Sequence, residues 1–479
     1  MIANDNKHWD ENSERRAYND RISRMRKIEY PMLEDLTYLD HGGTTLASKS
    51  LLDSFCEEMQ STLLANPHSD SSNPSVTAVM VEQTRLAVLK MFNADPVHFD
   101  VVFTANATGA IKLVTEGFSG YEEGFDYCYH RNSHTSLVGV RELANPLVST
   151  TPIDLSNHLF APDFISLSFY KIFGFPDLGA LIVRKAAGHV FDHRKYFGGG
   201  TTEMTTCLGE SWVARKNSSL HARLEDGTIA FRNILALKCA IMTHRALFGG
   251  LEEVSTHARW LASILHDRLT SMTHYNGALV CQVYKSRETH YQDSQRQGPT
   301  IAFNIQRSNG AYIGPWHVGA FLRASKIHVR TGNVCNPAGM ACALGVEAGW
   351  IRGAFDAGLR CNTEADVVDG VPFGIVRVTL GAMSTLEDVE TLVSCLSRNV
   401  VERRGPLQET AQVRDKSKEW VEESRSPSAV SEMTTTRIDP PFLGQRERTT
   451  TLKTPRSLIS WLRRRKRLYP RFHGGRHIG

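Results

Sequence analysis

The apolar positions of this chain fall into two recurring patterns, short continuous runs and helically spaced sets. Continuous runs predict buried strands, and a spacing of three to four residues predicts amphipathic helices. The strands are predicted at 99–103, 164–169 and 178–183, and the helices at 48–65, 78–92, 110–118, 234–248 and 252–272. Strand-like runs return at 278–283 and 300–305, which predicts a smaller α+β region after an α/β body.

The same pattern divides the chain into four regions. A charged helical lead-in ends before Pro31, and the α/β body is followed by the smaller region and then by a polar tail. The tail loses the apolar periodicity and is rich in Ser, Thr, Pro and charge, which predicts disorder. The predicted regions are 1–30, 31–260, 261–400 and 401–479.

Composition narrows the class of protein. The chain has 479 residues, of which 41% are hydrophobic and 22% charged, and no stretch reaches the ~20 apolar residues of a membrane span. Nine scattered cysteines without a Cys-x-x-Cys pair are typical of reduced thiols and argue against a disulfide scaffold or a zinc site. Because the N-terminus is polar and unlike a signal peptide, these features predict a cytoplasmic protein that needs neither membrane nor metal.

The net charge of +4 hides an asymmetry between body and tail. Residues 401–479 hold 18 Lys and Arg against 9 Asp and Glu, so the tail carries +9 and the preceding residues carry −5. The basic stretch 461–467 would suit nucleic acid, an anionic surface or a targeting receptor. A solvated tail is the simpler interpretation, and a nucleic-acid partner is not expected.

One lysine stands between two predicted strands. The segment 168–174 reads Ser-Phe-Tyr-Lys-Ile-Phe-Gly, and Lys171 follows one apolar run and precedes another across Gly174 and Pro176. A lysine held at the edge of a core loses its proton easily by desolvation, which suits it to Schiff-base chemistry with a carbonyl cofactor. A surface lysine whose stem covers apolar area is the alternative.

A second junction is suited to binding phosphate. The strand at 99–103 runs into small residues and Thr108 before a predicted helix, so free N–H groups and a hydroxyl meet at a helix N-terminus. A plain N-cap at Thr108 is the alternative. His134 follows another short predicted strand, where its ring is placed to stack on a planar cofactor or only to cap the next helix.

A cysteine and two arginines complete the candidate chemistry. Cys335 lies in a loop rich in Gly, Asn and Pro, five residues after Arg330, and exposure near positive charge favours a thiolate nucleophile. Arg377 lies among apolar residues of a predicted strand, so its guanidinium needs an anion. That anion is either the carboxylate of a substrate or an internal Asp or Glu.

Taken together, these segments resemble the pyridoxal-phosphate (PLP) cysteine desulfurases of the class V aminotransferase superfamily. The resemblance is greatest to the N-terminal, desulfurase-like domain of eukaryotic molybdenum cofactor sulfurases and covers roughly residues 30 to 397. The matching blocks follow the family's order, at 38–45, 66–69, 103–112, 134–139, 166–180, 197–201, 330–337 and 377–385. The resemblance implies the α/β, type I fold of PLP-dependent transferases, in which a large, mostly parallel, seven-stranded sheet domain precedes a smaller C-terminal α+β domain.

The resemblance also implies roles in binding the cofactor. Lys171 would form the Schiff base with PLP, and His134 would stack on the pyridine ring and take part in catalysis. Thr228 would reach the cofactor phosphate across the interface of a homodimer. The other phosphate ligands would be Ala107, Thr108, Ser168 and Tyr170, the last standing where relatives often have His.

On the substrate side, the resemblance implies Cys335 as the nucleophile and Arg330 and Arg377 as the groups that bind the carboxylate of L-cysteine. The Cys335 thiolate would take the sulfur of cysteine as a persulfide and leave alanine. In the family this sulfur passes to the molybdenum cofactor (molybdopterin), where it becomes the terminal ligand that xanthine dehydrogenase and aldehyde oxidase require.

Two departures from the family pattern change these expectations. Between Leu143 and Leu147 the chain lacks a long piece that relatives have. In relatives this piece ends with the Asp that keeps the pyridine nitrogen protonated, and Asn145-Pro146 occupies that place here. Asp154 belongs to the following segment and does not replace this Asp. A weaker electron sink, a missing strand and an impaired or inactive chain are therefore expected, unless the gene model skipped coding sequence. Residues 401–479 also do not resemble the family's C-terminal cofactor-binding domain.

Three alternative functions remain open from the sequence alone. The nearest is a generic cysteine desulfurase that feeds iron–sulfur or thiolation pathways. The second is a non-catalytic truncated relative that acts as an interaction protein through its basic tail. The third is a class V aminotransferase without sulfur chemistry.

Overall fold

The computed structural model describes residues 3–67, 75–121, 126–128, 133–140, 145–147, 155–286, 288–293, 296–360, 363–364 and 366–403. These residues belong to one compact unit, Met1–Arg425. Nearly all of the predicted tail lies outside the described residues, as do 141–144 and 148–154 on either side of the predicted break. The predicted boundary between a large and a small domain at 260 stays a prediction.

The first two thirds of the described chain form the α/β body. Its helices are α1 (Ala3–Glu29), α2 (Lys49–Ser61), α3 (Val76–Met91), α4 (Ala107–Phe118), α5 (Thr135–Val138), α6 (Tyr170–Phe173), α7 (Leu220–Leu224), α8 (Phe231–Phe248) and α9 (Leu251–Thr270), with 3₁₀ turns at Pro31–Leu33 and Lys185–His193. Its strands are β1 (Thr37–Tyr38), β2 (Phe99–Thr104), β3 (Asp126–Cys128), β4 (Asn145–Leu147), β5 (Phe164–Ser168), β6 (Gly179–Arg184), β7 (Thr202–Thr206) and β8 (Trp212–Arg215). The predicted helices and strands of this part are therefore present, with shifts of a few residues at their ends.

The remaining part is richer in strands, as predicted. Its strands are β9 (Cys281–Tyr284), β10 (Thr300–Gln306), β11 (Tyr312–Ile313), β12 (Ile327–His328), β13 (Arg330–Gly332), β14 (Val367–Val368), β15 (Val371–Pro372) and β16 (Ile375–Thr379). Its helices are α10 (Pro315–Ala324), α11 (Pro337–Leu344), α12 (Ala348–Asp356) and α13 (Leu386–Asn399). The main sheet has the order β11-β10-β16-β13, with β9 also paired to β10, and all its pairs are antiparallel.

The sheet of the α/β body is short in the described residues. It has the order β2-β6-β5, and β6 runs antiparallel to both neighbours, so β2 and β5 run parallel to each other. A separate parallel pair is formed by β3 and β4. The predicted α/β fold class is confirmed, whereas the described part of the body contains this three-stranded sheet and two detached pairs, β3-β4 and β7-β8, in place of seven continuous strands.

The central strand explains why an apolar run stands at 178–183. Ala180, Leu181, Ile182 and Val183 are all fully buried, because the two faces of β6 pack into two different apolar clusters. A strand covered on both faces needs apolar residues at every position rather than at alternate ones. Burying each of the larger side chains contributes about 1.5–3 kcal/mol to folding.

Helices α8 and α9 supply much of the apolar cover. Seven residues of α8 and seven of α9 are buried, mainly against the body and the small sheet respectively. No single helix among the described residues is long and apolar enough to cross a membrane. Helices α8 and α9, which meet at a bend of 57°, have the necessary length and composition only when they are taken together.

Helix α1 fastens the two parts of the molecule together. The Tyr18 hydroxyl donates to the carbonyl of Phe248 at 3.0 Å, at the end of α8. On the other side, the Asn19 side chain accepts from the N–H of Leu386 at 2.8 Å, and Arg26 lies 2.5 Å from Asp388 in the first turn of α13. One lead-in helix therefore holds the end of a body helix and the start of the last helix.

Candidate active site

The register of the three-stranded sheet brings two chain segments to one point. Thr104, the last residue of β2, and Ser168, the last residue of β5, both pair with Gly179 on β6. Because β2 and β5 run parallel, their carboxyl ends meet at the sheet edge where α/β folds bind ligands. A Cβ at Gly179 would collide with the backbone of Asn106, so this glycine allows the start of α4 to lie against the strand.

The start of α4 forms a cradle for an anion. The N–H of Ala107 donates to Ser168 Oγ at 2.9 Å, and the hydroxyls of Thr108 and Ser136 lie 2.8 Å apart. A helix N-terminus carries partial positive charge, and phosphate oxygens accept readily from N–H and O–H groups. The donors present here therefore fit the phosphate group of a cofactor.

Thr108 has no capping role in this helix. The N-cap of α4 is Asn106, whose side-chain oxygen accepts from the N–H of Gly109 at 3.0 Å. Thr108 is the second residue inside the helix, and its side chain is exposed. The alternative interpretation of Thr108 as a plain N-cap is wrong, and its hydroxyl is available to a ligand.

Lys171 lies in α6, directly after β5. Its neighbours Phe169 and Phe173 are buried, whereas the side chain of Lys171 is exposed. The expectation that a core edge desolvates this amine is therefore not met, because the core fixes the turn and leaves the amine in solvent. The N–H of Thr45 donates to the carbonyl of Tyr170 at 3.3 Å and ties the same turn to the loop after β1.

His134 precedes α5 and caps it. Its Nδ1 accepts from the N–H of Ser136 at 3.1 Å, so the neutral ring carries its proton on Nε2. Partial burial lowers the pKa of His134, and the nearby Lys171 ammonium lowers it further. The ring is thus held in one orientation, neutral and close to Lys171, while its stacking on a pyridine ring stays a prediction.

Cys335 is exposed in the loop between β13 and α11. The N–H of Thr135 donates to the carbonyl of Cys335 at 3.1 Å, which brings this loop beside His134, and Arg330 Nη2 donates to Cys335 Sγ at 3.6 Å. Exposure and a neighbouring cation, the two features expected for this thiol, are both present. Its role as a nucleophile stays a prediction.

The backbone of this loop is strained. Val334 has φ of +46° and Cys335 has φ of +56°, so two consecutive residues with side chains adopt the left-handed conformation. Each costs roughly 1–2 kcal/mol relative to the right-handed regions. The loop holds this conformation because the contacts of Cys335 with Thr135 and Arg330 fasten it on both sides.

Arg377 and Arg330 lie opposite each other on β16 and β13. Asp40 contacts both, with Oδ1 at 2.6 Å from Arg377 Nη2 and Oδ2 at 3.9 Å from Arg330 Nη1. The anion that the Arg377 guanidinium requires is thus an internal carboxylate, one of the two alternatives. Arg377 Nε is buried and has no partner among the described residues, so a donor remains for a further anion. Binding of a substrate carboxylate by these arginines stays a prediction.

Two further predicted ligands lie beside these contacts. Thr228 is exposed and lines a cavity of about 800 Å³ together with Thr104 and Gly109, next to the start of α4. Its contact with a cofactor across a dimer interface requires a second chain and stays a prediction. Tyr170 is half-buried, and its phosphate-binding role is likewise untested.

Two residues of the site are absent from the set that the sequence predicts. Ser136 is one, and only its position two residues after His134 hints at it. Asp40 is the other. It follows a short strand-like run and precedes two glycines, but nothing local indicates that it meets Arg377, which lies 337 positions away.

The chain matches the family model of class V aminotransferases over residues 37–147 and 147–392. Because this match covers most of the sequence, the chain belongs to the class V aminotransferase family. Among solved structures it is similar to a cysteine desulfurase from Thermococcus onnurineus, with a TM-score of 0.59 and 17% identity over 79% of this chain and 98% of that one. A cysteine desulfurase from Escherichia coli has a TM-score of 0.55 and 15% identity over the same shares of the two chains. These structures confirm the fold.

Within that family, the sequence is similar to molybdenum cofactor sulfurases. The protein of that name from Aspergillus fumigatus is 43% identical over 458 residues, covering 81% of this chain and 54% of the relative. The one from Aspergillus niger is 44% identical over 452 residues, covering 81% and 55%. The predicted resemblance is confirmed, and this chain spans about half the length of the curated relatives that it matches.

The comparisons also bear on the internal break. The two matched pieces of the family model meet at Leu147, where the sequence predicts a missing segment. The relative from A. fumigatus is aligned over 458 residues, whereas 81% of the 479 residues here is about 388, so about 70 positions lack a counterpart in this chain. The break in the family match supports a deletion near 143–147, and the alignment length is what a deletion of this kind would produce.

Proposed function

We propose that this chain is the cysteine desulfurase-type part of a PLP-dependent sulfurtransferase that moves sulfur from L-cysteine to the molybdenum cofactor. The observation that carries the proposal is the 3.1 Å hydrogen bond from Thr135 to the carbonyl of Cys335. It brings Cys335, whose thiol is exposed, next in the structure to the residue that follows His134, and the Lys171 ammonium lowers the pKa of His134. A thiol, an amine and an anion cradle thus belong to one site.

Pyridoxal 5′-phosphate is the cofactor of the proposed reaction, and when bound it supplies an electron sink for negative charge at the substrate Cα. The N–H of Ala107 and the hydroxyls of Thr108, Ser136 and Ser168 would hold its phosphate. The exposed amine of Lys171 is accessible to an aldehyde and can then carry a proton.

Cys335 would perform the sulfur transfer. Its thiolate attacks the sulfur of the cysteine substrate, so an S–S bond forms while the Cβ–S bond of the substrate breaks. The electron pair of the broken bond stays on Cβ, which takes up a proton and becomes the methyl group of alanine. The products are an enzyme persulfide and alanine, and no external oxidant or reductant is needed. Arg330 would stabilise the thiolate.

The molybdenum cofactor is proposed as the acceptor because the curated relatives are named for its sulfuration. A generic cysteine desulfurase is the second candidate. It is favoured by the coverage, because this chain carries the thiol and the anion cradle although it spans only 54% of the relative from A. fumigatus. Added desulfo-molybdopterin would accept sulfur in the first case and would leave sulfide release unchanged in the second.

We also propose a cytoplasmic homodimer. The support for a dimer is Thr228, which is exposed and lines a cavity beside the start of α4, where a second chain could complete the phosphate site.

We further propose that the chain is impaired relative to its longer relatives, because the pyridine-nitrogen carboxylate falls in the missing segment. Stoichiometric cofactor absorbance with alanine release equal to that of a relative would contradict the impairment.

The test compares Lys171→Ala with Lys185→Ala, an exposed lysine that donates to the carbonyl of Pro96 at 2.7 Å. After incubation with PLP and reduction by borohydride, the wild-type chain and Lys185→Ala should carry the label at Lys171, and Lys171→Ala should carry none. Release of alanine from cysteine should fall by about 10³-fold only in Lys171→Ala. Labelling of another lysine, or of none in the wild-type chain, would contradict the proposed function.

A further inference from the structure

Asp40 stands where the two parts of the candidate site meet. It follows β1 and forms a parallel bridge with Thr379 at the end of β16. The backbone fixes it there, because the N–H of Thr379 donates to the carbonyl of Leu39 at 2.8 Å, and the N–H of Gly42 donates to Thr379 Oγ1 at 2.7 Å. The position of the Asp40 carboxylate is therefore set by the sheet rather than by a flexible loop.

This carboxylate is shared between two arginines, and one of them is shared in turn with the thiol. Asp40 Oδ1 lies 2.6 Å from Arg377 Nη2, and Asp40 Oδ2 lies 3.9 Å from Arg330 Nη1. The other terminal nitrogen of Arg330, Nη2, donates to Cys335 Sγ at 3.6 Å. A single guanidinium thus faces a carboxylate on one side and a sulfur on the other.

The two contacts of Arg330 oppose each other electrostatically. A cation next to a thiol favours the thiolate, whereas a carboxylate bound to the same cation cancels part of its field. Asp40 is only 16% exposed, so solvent screens its charge less than it screens a surface carboxylate. The field that reaches Cys335 is therefore the difference between the two charges.

We propose that Asp40 is a positioning residue that limits the reactivity of Cys335 towards electrophiles, because it competes with the sulfur for the Arg330 guanidinium. This inference takes the nucleophile from the proposed function, but the coupling among Asp40, Arg330 and Cys335 exists without substrate or cofactor. The other charged or titratable groups that face the loop are Arg377, from β16, and His134 with Lys171, from the side of Thr135. Asp40 is the one carboxylate among the described residues that contacts both arginines.

The experiment measures the rate at which iodoacetamide alkylates each cysteine of the full chain, from about pH 6 to pH 9, by peptide mass spectrometry. The variants are Asp40→Asn, Arg330→Gln and the matched control Asp53→Asn, which removes a carboxylate paired with Lys49 on the exposed face of α2. In Asp40→Asn, alkylation of Cys335 at pH 7 should rise by about three- to tenfold, the effect of one nearby unit charge. Arg330→Gln should lower the rate by a similar factor, and Asp53→Asn should leave it unchanged.

Cys342, exposed on α11, serves as the internal standard in every sample. A rise at Cys335 without a rise at Cys342 supports the inference, because a general change in the conditions or in the reactivity of exposed thiols would act on both. An unchanged or slower reaction of Cys335 in Asp40→Asn, or an equal rise at both cysteines, would overturn it. Since the assay contains neither PLP nor substrate, its outcome is independent of whether Lys171 forms the Schiff base.

Discussion

The two halves of the candidate site rest on sheets of different completeness. Cys335, Arg330 and Arg377 are carried by a five-stranded antiparallel sheet whose central strand, β10, is paired on both sides. Ser168 ends β5 and Lys171 follows it, in a sheet that has three strands in the described part of the chain and in which β5 pairs with β6 alone. We call the first set of residues the thiol half and the second set the cofactor half. The thiol half thus rests on the more complete sheet.

The difference coincides with the position at which the family match breaks. About 70 positions of a relative lack a counterpart here, and the family match breaks at Leu147, between β4 and β5. The small sheet lies wholly after this break, whereas the cofactor half uses residues from both sides of it. The break therefore lies within the part of the fold that carries the cofactor half and outside the sheet that carries the thiol half.

The functions of the two halves are best separated by one variant in each half, with persulfide formation and PLP binding measured for both. Cys335→Ser should lower persulfide formation by about 10³-fold and change the affinity for PLP by less than about twofold, because the thiol is not a ligand of the phosphate. Ser168→Ala should weaken PLP binding by about tenfold, the value of one hydrogen bond to a charged group, and leave alkylation of Cys335 unchanged.

Fluorescence titration with PLP and mass spectrometry of the persulfide check both variants, and Cys207→Ser, an exposed cysteine elsewhere, is the control. If Cys335→Ser weakened PLP binding as much as Ser168→Ala does, the two halves would not be separable.

Truncating one buried leucine in each half is expected to have the next largest effect. Leu181 on β6 and Leu322 on α10 are both fully buried, so replacing either by Ala should lower the free energy of unfolding by about 2–5 kcal/mol. In the folded protein, only Leu181→Ala should also weaken PLP binding, because β6 holds the ends of β2 and β5. Denaturant unfolding and PLP titration measure these effects. Leu208→Ala, at a residue that is 92% exposed, should change neither, and equal loss of PLP affinity in both core variants would refute the distinction.

The smallest expected effect concerns a histidine at the seam between the halves. His41 lies between Thr45 Oγ1, at 2.9 Å, and Ser384 Oγ, at 3.2 Å, and burial lowers its pKa to about 4. The unfolded chain binds a proton at this position below about pH 6.5 while the folded chain does not, so the free energy of unfolding should fall between about pH 6.5 and pH 4.

The contribution of His41 is about 2–3 kcal/mol, fully present above pH 6.5 and lost progressively towards pH 4. His41→Asn should therefore flatten the pH dependence of stability in this range, as measured by denaturant unfolding at several pH values. Part of the slope should persist, because burial also lowers the pKa of His244 and of His257. An identical slope in His41→Asn would rule out His41 as a source.

The sequence predicted the helices and strands, and the exposure of Cys335, better than the contacts between them. The apolar runs at 164–169 and 178–183 correspond to β5 and β6 because a strand buried on both faces must be apolar throughout. The exposure of Cys335 and its neighbouring cation follow from a turn-rich loop five residues after Arg330, which is local information. Patterns with a short range in sequence were therefore sufficient for these features.

Long-range pairings were beyond such patterns. The partner of Arg377 could have been a substrate or an internal acid, and only the register of β16 beside the loop after β1 selects Asp40. The exposure of Lys171 is a second case, because an apolar flank shows that the turn is anchored and does not show which side chains of the turn face solvent. Tertiary geometry decides both, and no local sequence pattern encodes it.

The left-handed backbone at Val334 and Cys335 stores conformational strain. Two contacts hold it, one with Thr135 and one with Arg330, and loss of either would let the strained segment relax. If Cys335 carries the proposed persulfide, relaxation of this segment would change the distance that its sulfur can reach.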